Sequence, residues 1–203
     1  MKLPIFLLLI TMFAGNIAFG TGKDTIIVSK SNSEFSGYKT KKFWQIAVHG
    51  GFFVPVGYYL SDSYDNSPSA GAEVAYRLNS EVAIYSEIKY YFLSVKDPYG
   101  PSAGYLESTI GTRFYLRHQS YKSSIFFEAG IGPYTFIQGS AVTPEKTYES
   151  TTTVRMGGNA GLGCELVLSN SLFATFKAKM NAIFIPNSAT TFVSGIGGLV
   201  YRL

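Results

Sequence analysis

The sequence predicts an all-β fold, an eight-stranded antiparallel up-and-down transmembrane β-barrel, and three observations carry that reading. From Phe43 onward apolar and polar residues alternate with period two, which places successive side chains on opposite faces of a strand. Eight such segments follow, at 43–54, 69–79, 81–93, 103–117, 122–137, 152–168, 171–183 and 190–203. Short links at 78–81, 117–122 and 168–171 alternate with longer ones at 55–68, 94–102, 138–151 and 184–189. Short turns on one membrane side and long loops on the other are the connection pattern of such a barrel.

Composition agrees with this class. Aromatics make up 16% of the 203 residues, charged residues only 15%, and there are 21 glycines. The length suits one domain. No run of eighteen apolar residues occurs after the N-terminus, which excludes a helical span. The formal charge of +4 is modest and its lysines are dispersed, so no nucleic-acid partner is expected. Cys164 stands alone, has no internal disulfide partner, and reads as a small packed side chain.

Taken in order, the chain opens on Lys2 and the apolar stretch LPIFLLLITMFA at 3–14, followed by Ala18-Phe19-Gly20. A basic start, a short apolar run and small residues predict a signal peptide over 1–20. Residues 21–42 are rich in serine and lysine without a sustained period and read as a flexible periplasmic lead segment. Lys39, Lys41 and Lys42 sit either at the membrane surface or in a solvated linker. The barrel is expected over 43–203.

The faces are set by parity. The first strand opposes Trp44, Ile46, Val48 and Phe52 to Gln45 and His49. The second opposes Val74 and Tyr76 to Glu73 and Arg77, and the third Ile84, Ile88 and Phe92 to Glu87 and Lys89. The fourth sets Ile110 and Phe114 against Glu107 and Arg113, and the fifth Phe127 and Ile131 against Glu128. The sixth sets Met156, Leu162 and Leu166 against Arg155, Asn159 and Glu165, and the seventh Phe176 and Met180 against Lys177 and Lys179. Wherever one strand carries such a pair of charges, the two share a face. The eighth strand is ambiguous, because Ile196 and Val200 oppose Leu199 and Tyr201.

A soluble, lipocalin-like ligand-binding barrel shows the same alternation turned inside out. Two features favour the membrane form. Glycines crowd the polar face at Gly130, Gly132, Gly157, Gly161 and Gly163, as a filled lumen requires. Aromatics gather near strand ends, at Phe43, Trp44, Tyr76, Tyr115, Tyr121 and Tyr201 on the short-turn side. On the loop side they are Tyr91, Phe92, Tyr105, Tyr134, Phe136 and Phe184, so two interfacial girdles are expected.

The last stretch, TTFVSGIGGLVYRL at 190–203, is glycine-rich and places Leu199, Tyr201 and Leu203 on alternate positions. In lipid this strand must pair with the first, since each unsatisfied backbone group there costs several kcal/mol. On these residues the chain resembles the small eight-stranded bacterial outer-membrane β-barrel proteins, the OmpA/OmpX-like barrels. Members usually end in phenylalanine, whereas here Tyr201 and Leu203 hold the end. The resemblance covers 43–203. It implies the bacterial outer membrane, contact with outer-membrane lipid, and insertion by the barrel-assembly machinery.

The predicted lumen carries Glu73, Arg77, Glu87, Lys89, Glu107, Arg113, Glu128, Arg155, Glu165, Lys177 and Lys179. Mixed charge inside a barrel just wide enough for side chains implies pairing, hence a plugged, salt-bridged lumen and not a pore. An outer-membrane lipid-modifying enzyme is the alternative. However, His49 faces inward and His118 lies in a turn, and neither sits in a His-Ser-Asn pattern. The glycine run at 157–163 has no following helix to bind a phosphate. No catalytic residue, cofactor or metal is expected, the last for want of clustered ligands. In the 55–68 loop, Tyr58, Tyr59, Asp62, Tyr64 and Asp65 form a candidate surface for an unidentified extracellular ligand. The expected function is that of a monomeric, non-enzymatic barrel serving envelope integrity or surface interaction.

Overall fold

A computed structural model describes residues 42–56, 58–116, 123–142, 147–186 and 188–203. The expectations for residues 1–41, and for the turn holding His118 and Tyr121, lie outside the described residues. Eight long strands follow one another: β1 Phe43–Pro55, β2 Ser67–Arg77, β3 Val82–Val95 and β4 Ala103–Leu116, then β5 Ser123–Gln138, β6 Thr151–Val167, β7 Leu172–Ile185 and β8 Ser188–Arg202. The predicted bounds fall within two residues of these.

Each strand pairs antiparallel with its sequence neighbours, and β8 returns to β1 from Gln45↔Arg202 to Pro55↔Phe192. The sheet is a closed eight-stranded antiparallel barrel. Closure satisfies both edges of the meander, which hydrocarbon demands and an open sheet does not provide. The one interruption of the β4–β5 ladder falls at Ser108 and Thr109, opposite Pro133 and Gly132. Proline has no N–H to give to that ladder.

The links are less featureless than their composition suggests. The first loop contains a short helix, α1 Tyr58–Ser63, and Tyr64 and Asp65 pair with Val95 and Ser94 beyond it. In the 138–151 loop, Ala141 and Val142 pair with Tyr148 and Thr147.

The outer face is apolar around the whole barrel: Phe52, Val74, Ile88, Ile110, Phe127, Ile131, Leu162, Met180 and Leu199 all point outward and are exposed. A continuous apolar belt over a charged interior is a fold whose outer solvent is hydrocarbon, since water would leave a patch far larger than soluble monomers carry. The eighth strand resolves by the same parity. Phe192, Ser194, Ile196 and Val200 face inward, and Leu199 and Tyr201 face the belt.

The girdle expectation needs correction. Trp44 packs at a tilt against its cross-strand neighbour Tyr76, with ring centroids 4.7 Å apart, on the short-turn side, and Phe92 and Phe184 point outward at the loop end. Tyr91, Tyr115 and Tyr134 instead face the lumen and are buried. Nearness to a strand end says nothing about parity, and Tyr91 shares its face with Lys89 as Tyr115 does with Arg113.

Inside, two layers are stacked. At the loop end an apolar layer gathers Phe53, Leu60 of α1, Tyr91, Leu93, Tyr134, Ile183 and Phe192. The Phe192 ring lies 4.7 Å from Phe53 and 5.1 Å from Tyr91 between centroids. Below it sit the charges. Lumen glycines make room for the large rings: a Cβ at Gly157 would lie 2.6 Å from the Tyr134 ring, and one at Gly163 would lie 2.5 Å from Phe126.

Placing a charge on the belt tests these faces. Ile110→Arg is expected to cost about 2–4 kcal/mol of folding stability in lipid bilayers, read as a lower urea midpoint. Tyr99→Arg, on an exposed loop, is expected to change it by less than about 0.5 kcal/mol.

Candidate functional site

Among the described residues, titratable side chains converge in the lumen. Its geometry starts from a conflict: Glu73 on β2 and Glu87 on β3 are direct cross-strand partners. Like charges in that position repel. The conflict is resolved from the opposite wall. Lys177 Nζ on β7 lies 2.7 Å from Glu73 Oε2 and 3.5 Å from Glu87 Oε1, and Lys179 Nζ makes a short contact to Glu87 Oε2. Lys179 also reaches Glu107 Oε1 at 3.3 Å.

The remaining pairs are formed mostly along the wall. Arg113 and Glu128 are cross-strand partners on β4 and β5, and Arg113 donates to Glu128 Oε2 through Nε at 2.9 Å and Nη2 at 2.7 Å. The same guanidinium reaches Glu73 at 2.8 Å. Lys89 lies 2.9 Å from Glu87 and 3.7 Å from its cross-strand partner Glu107. Toward the short-turn end, Arg77 lies over the Tyr115 ring at 3.3 Å and 3.9 Å from Glu165.

Neutral donors complete the set. Tyr91 donates to Glu107 Oε2 at 2.5 Å, Tyr115 to Glu165 Oε1 at 2.8 Å, and Asn159 Nδ2 to Glu107 Oε1 at 2.9 Å. Tyr134 donates to Asn181 Oδ1 at 3.2 Å. Sequence reasoning left Tyr134 and Asn181 out of the network, although parity alone aligns them with Glu128 and Lys179.

Ten of the eleven charges assigned to the lumen are buried there, five acidic and five basic. Arg155 is the exception and corrects the sequence assignment: it is exposed. Its parity is that of the inner face, shared with its partner Tyr134. However, the β6–β7 ladder stops at Gly157↔Ile183, so Arg155 lies beyond the last paired residues of that edge, and its side chain is exposed.

A second correction concerns metal ligands. His49, Glu73 and Glu87 bring ligand atoms within 4.8 Å of one another, a cluster that their sequence spacing hides. Lysine ammonium groups already sit on those carboxylates, Lys177 on Glu73 and Lys89 on Glu87, and His49 Nε2 lies 3.1 Å from Glu87. A divalent cation would enter a cage already neutralised by cations, so the donor set does not fit one.

The first-loop residues separate. Asp62 and Asp65 are exposed, whereas Tyr64 is half-buried and packs against the apolar layer that Leu60 enters. The side chains of Tyr58 and Tyr59 lie outside the described residues. Lys96 binds the loop down, its ammonium to the Ser61 carbonyl and its N–H to the Ser63 carbonyl at 3.0 Å.

No protein-family model matches the chain, and no curated protein matches it. Among solved structures, it is similar to the outer membrane protein OprG of Pseudomonas aeruginosa, with a TM-score of 0.56 and 11% identity over 82% of this chain and 98% of that one. Neisserial surface protein A gives 0.55 and 11% over 80% and 96%. The N-terminal β-barrel domain of Pseudomonas aeruginosa OprF gives 0.55 and 10% over 79% and 97%. At such identities the likeness shows the fold, that of the eight-stranded outer-membrane barrels.

Removing one central cation tests the network. Arg113→Met would leave Glu73 and Glu128 short of a partner and is expected to destabilise the folded barrel by about 3–5 kcal/mol, read by urea unfolding in detergent micelles. Restoring balance with Glu128→Gln in the same chain is expected to recover part of that loss.

Proposed function

We propose that the chain is an outer-membrane protein of a diderm bacterium whose work is structural or adhesive, not catalytic or conductive. In this reading residues 1–20 are removed as a signal peptide and residues 43–203 form the membrane barrel. A single observation carries it: among the described residues the lumen holds five acids against five bases, all buried, with Lys177 and Lys179 bridging from the opposite wall. A water file through such an interior must break several pairs at once at low dielectric, and the balance of charge leaves no net field to select an ion. The apolar layer beneath α1 closes the loop end above it. The same packing argues against an enzyme, because the buried His49 is engaged with Glu87 and has no free path to a substrate. What remains available is the outer surface and the loops, where interaction is to be sought.

Fractionation tests the location. The protein is expected in the outer-membrane fraction and to migrate faster on gels when unheated than when boiled. Recovery in the soluble fraction with unchanged mobility would overturn the membrane assignment. Purified barrel in planar bilayers at neutral pH is expected to give no steady single-channel current, and reproducible conductance steps from the unmodified protein would move transport ahead of interaction.

A further inference from the structure

We propose that α1 is a lid over the loop-end mouth of the barrel, opening as a local unit while the barrel stays folded, with Leu60 as its stopper and Lys96 as its latch. The proposal rests on the outer-membrane reading above, which turns this mouth outward. Beneath the lid, Phe53, Tyr91, Tyr134, Ile183 and Phe192 wall a recess that Leu60 fills. Its floor is marked by the Tyr91 hydroxyl bound to Glu107 and the Tyr134 hydroxyl bound to Asn181. The paired charges of the lumen close it from below, so opening the lid uncovers a blind recess and not a pore.

The lid does not stand by itself. Six residues are far fewer than an isolated helix needs to persist in water. The last four carbonyls of any helix lack a partner within it, and in α1 those are most of the carbonyls there are. Leu60 is buried, whereas Asp62 and Ser63 are exposed and Ser61 is half-buried. A segment with little buried apolar surface and an exposed backbone belongs to the low-stability end of a fold.

Its position is imposed from outside. On one flank Pro55 pairs with Phe192, and the Val56 N–H reaches the Thr191 carbonyl at 3.4 Å. On the other, Tyr64 and Asp65 pair with Val95 and Ser94, and Ser67 Oγ accepts the Ser94 N–H at 2.8 Å. Between these anchors α1 is held from below by Leu60 and from the side by Lys96. The Lys96 ammonium donates to the Ser61 carbonyl and its N–H to the Ser63 carbonyl at 3.0 Å. α1 has no basic residue in its own last turn, so this cation, sent from the loop after β3, satisfies the carbonyls and complements the negative end of the helix. The latch therefore lies apart from both the stopper and the lumen.

The seat of Leu60 shows what the recess accepts, an aliphatic side chain among aromatic rings. Closed, the lid withholds that recess from the loop surface, where interaction is to be sought. Open, it presents one.

Thiol labelling tests the lid. In a Cys164→Ser background, Leu60→Cys places a thiol under α1, and the barrel refolded in micelles meets a charged, water-soluble methanethiosulfonate. The thiol is expected to react while heat-modifiable mobility is retained, well before the barrel unfolds. Lys96→Met is expected to speed the reaction about fivefold, whereas Lys96→Arg, which keeps a cation at the carbonyls, is expected to stay within about twofold. Reaction only as fast as unfolding, or an equal rate in Lys96→Met, would overturn the lid. Should Leu60→Cys not fold, hydrogen exchange reads the same device. The amides of 60–65 are expected to exchange faster in Lys96→Met than in the unmodified chain, with those of β1 and β8 unchanged. Equal exchange at 60–65 overturns it. A protected thiol in a barrel of normal mobility defeats the lid alone, whereas loss of that mobility in the unmodified chain defeats the outer-membrane reading.

Discussion

Two lysines of β7 reach across the barrel to two glutamates that face each other on β2 and β3, and the rest of the interior is arranged around that contact. Taking ten charges out of water costs several kcal/mol per ion before any pairing is counted. Glu87 meets His49, Lys89, Lys177 and Lys179, and Arg113 meets Glu73, Glu128 and Glu165, so each central charge is shared among several partners. Such sharing needs a small diameter, and eight strands supply it. Arg113 and Lys179 also lie over Tyr85, at 5.3 and 6.0 Å from its centroid, which fills the space between them without another charge.

The aromatic layer solves a different problem. Charges at the loop-side mouth would be hydrated and their mutual attraction weakened by the high dielectric there. Phe192, Phe53, Tyr91 and Tyr134, with Leu60 brought in from α1, replace that water with packed rings. The layers are coupled through hydroxyls, since Tyr91 belongs to the apolar layer by its ring and to the charged one by its bond to Glu107.

Architecture was legible because it follows from parity and from the spacing of turns, both local. Alternation around Glu87 and Lys89 placed them in the lumen without knowledge of their neighbours. Arg155 departs from its predicted place for the complementary reason: parity reports which face a side chain takes but not where the ladder to the adjacent strand stops. The cross-lumen partners were equally hidden, since Lys177 meets a glutamate 104 positions earlier and only the closed ring decides which walls oppose. The ligand-like trio of His49, Glu73 and Glu87 comes from three strands and has no signature in one dimension. α1 escaped notice because a six-residue helix inside a tyrosine-rich loop shows no periodicity to read.

The position of those lysines late in the chain has a consequence for how the barrel is made. Lys177 and Lys179 lie on the seventh strand, while Glu73 and Glu87 lie on the second and third. A growing sheet that holds only the early strands has Lys89 and Arg113 for its two opposed carboxylates and lacks the two cations of β7. The cross-lumen part of the compensation arrives only when β7 comes round and β8 pairs with β1. Such a wall gains little from being half built, because loop-closure entropy falls due before the compensating contacts form. A sheet without its last two strands lacks both the closing seam and the two cations that cross the lumen.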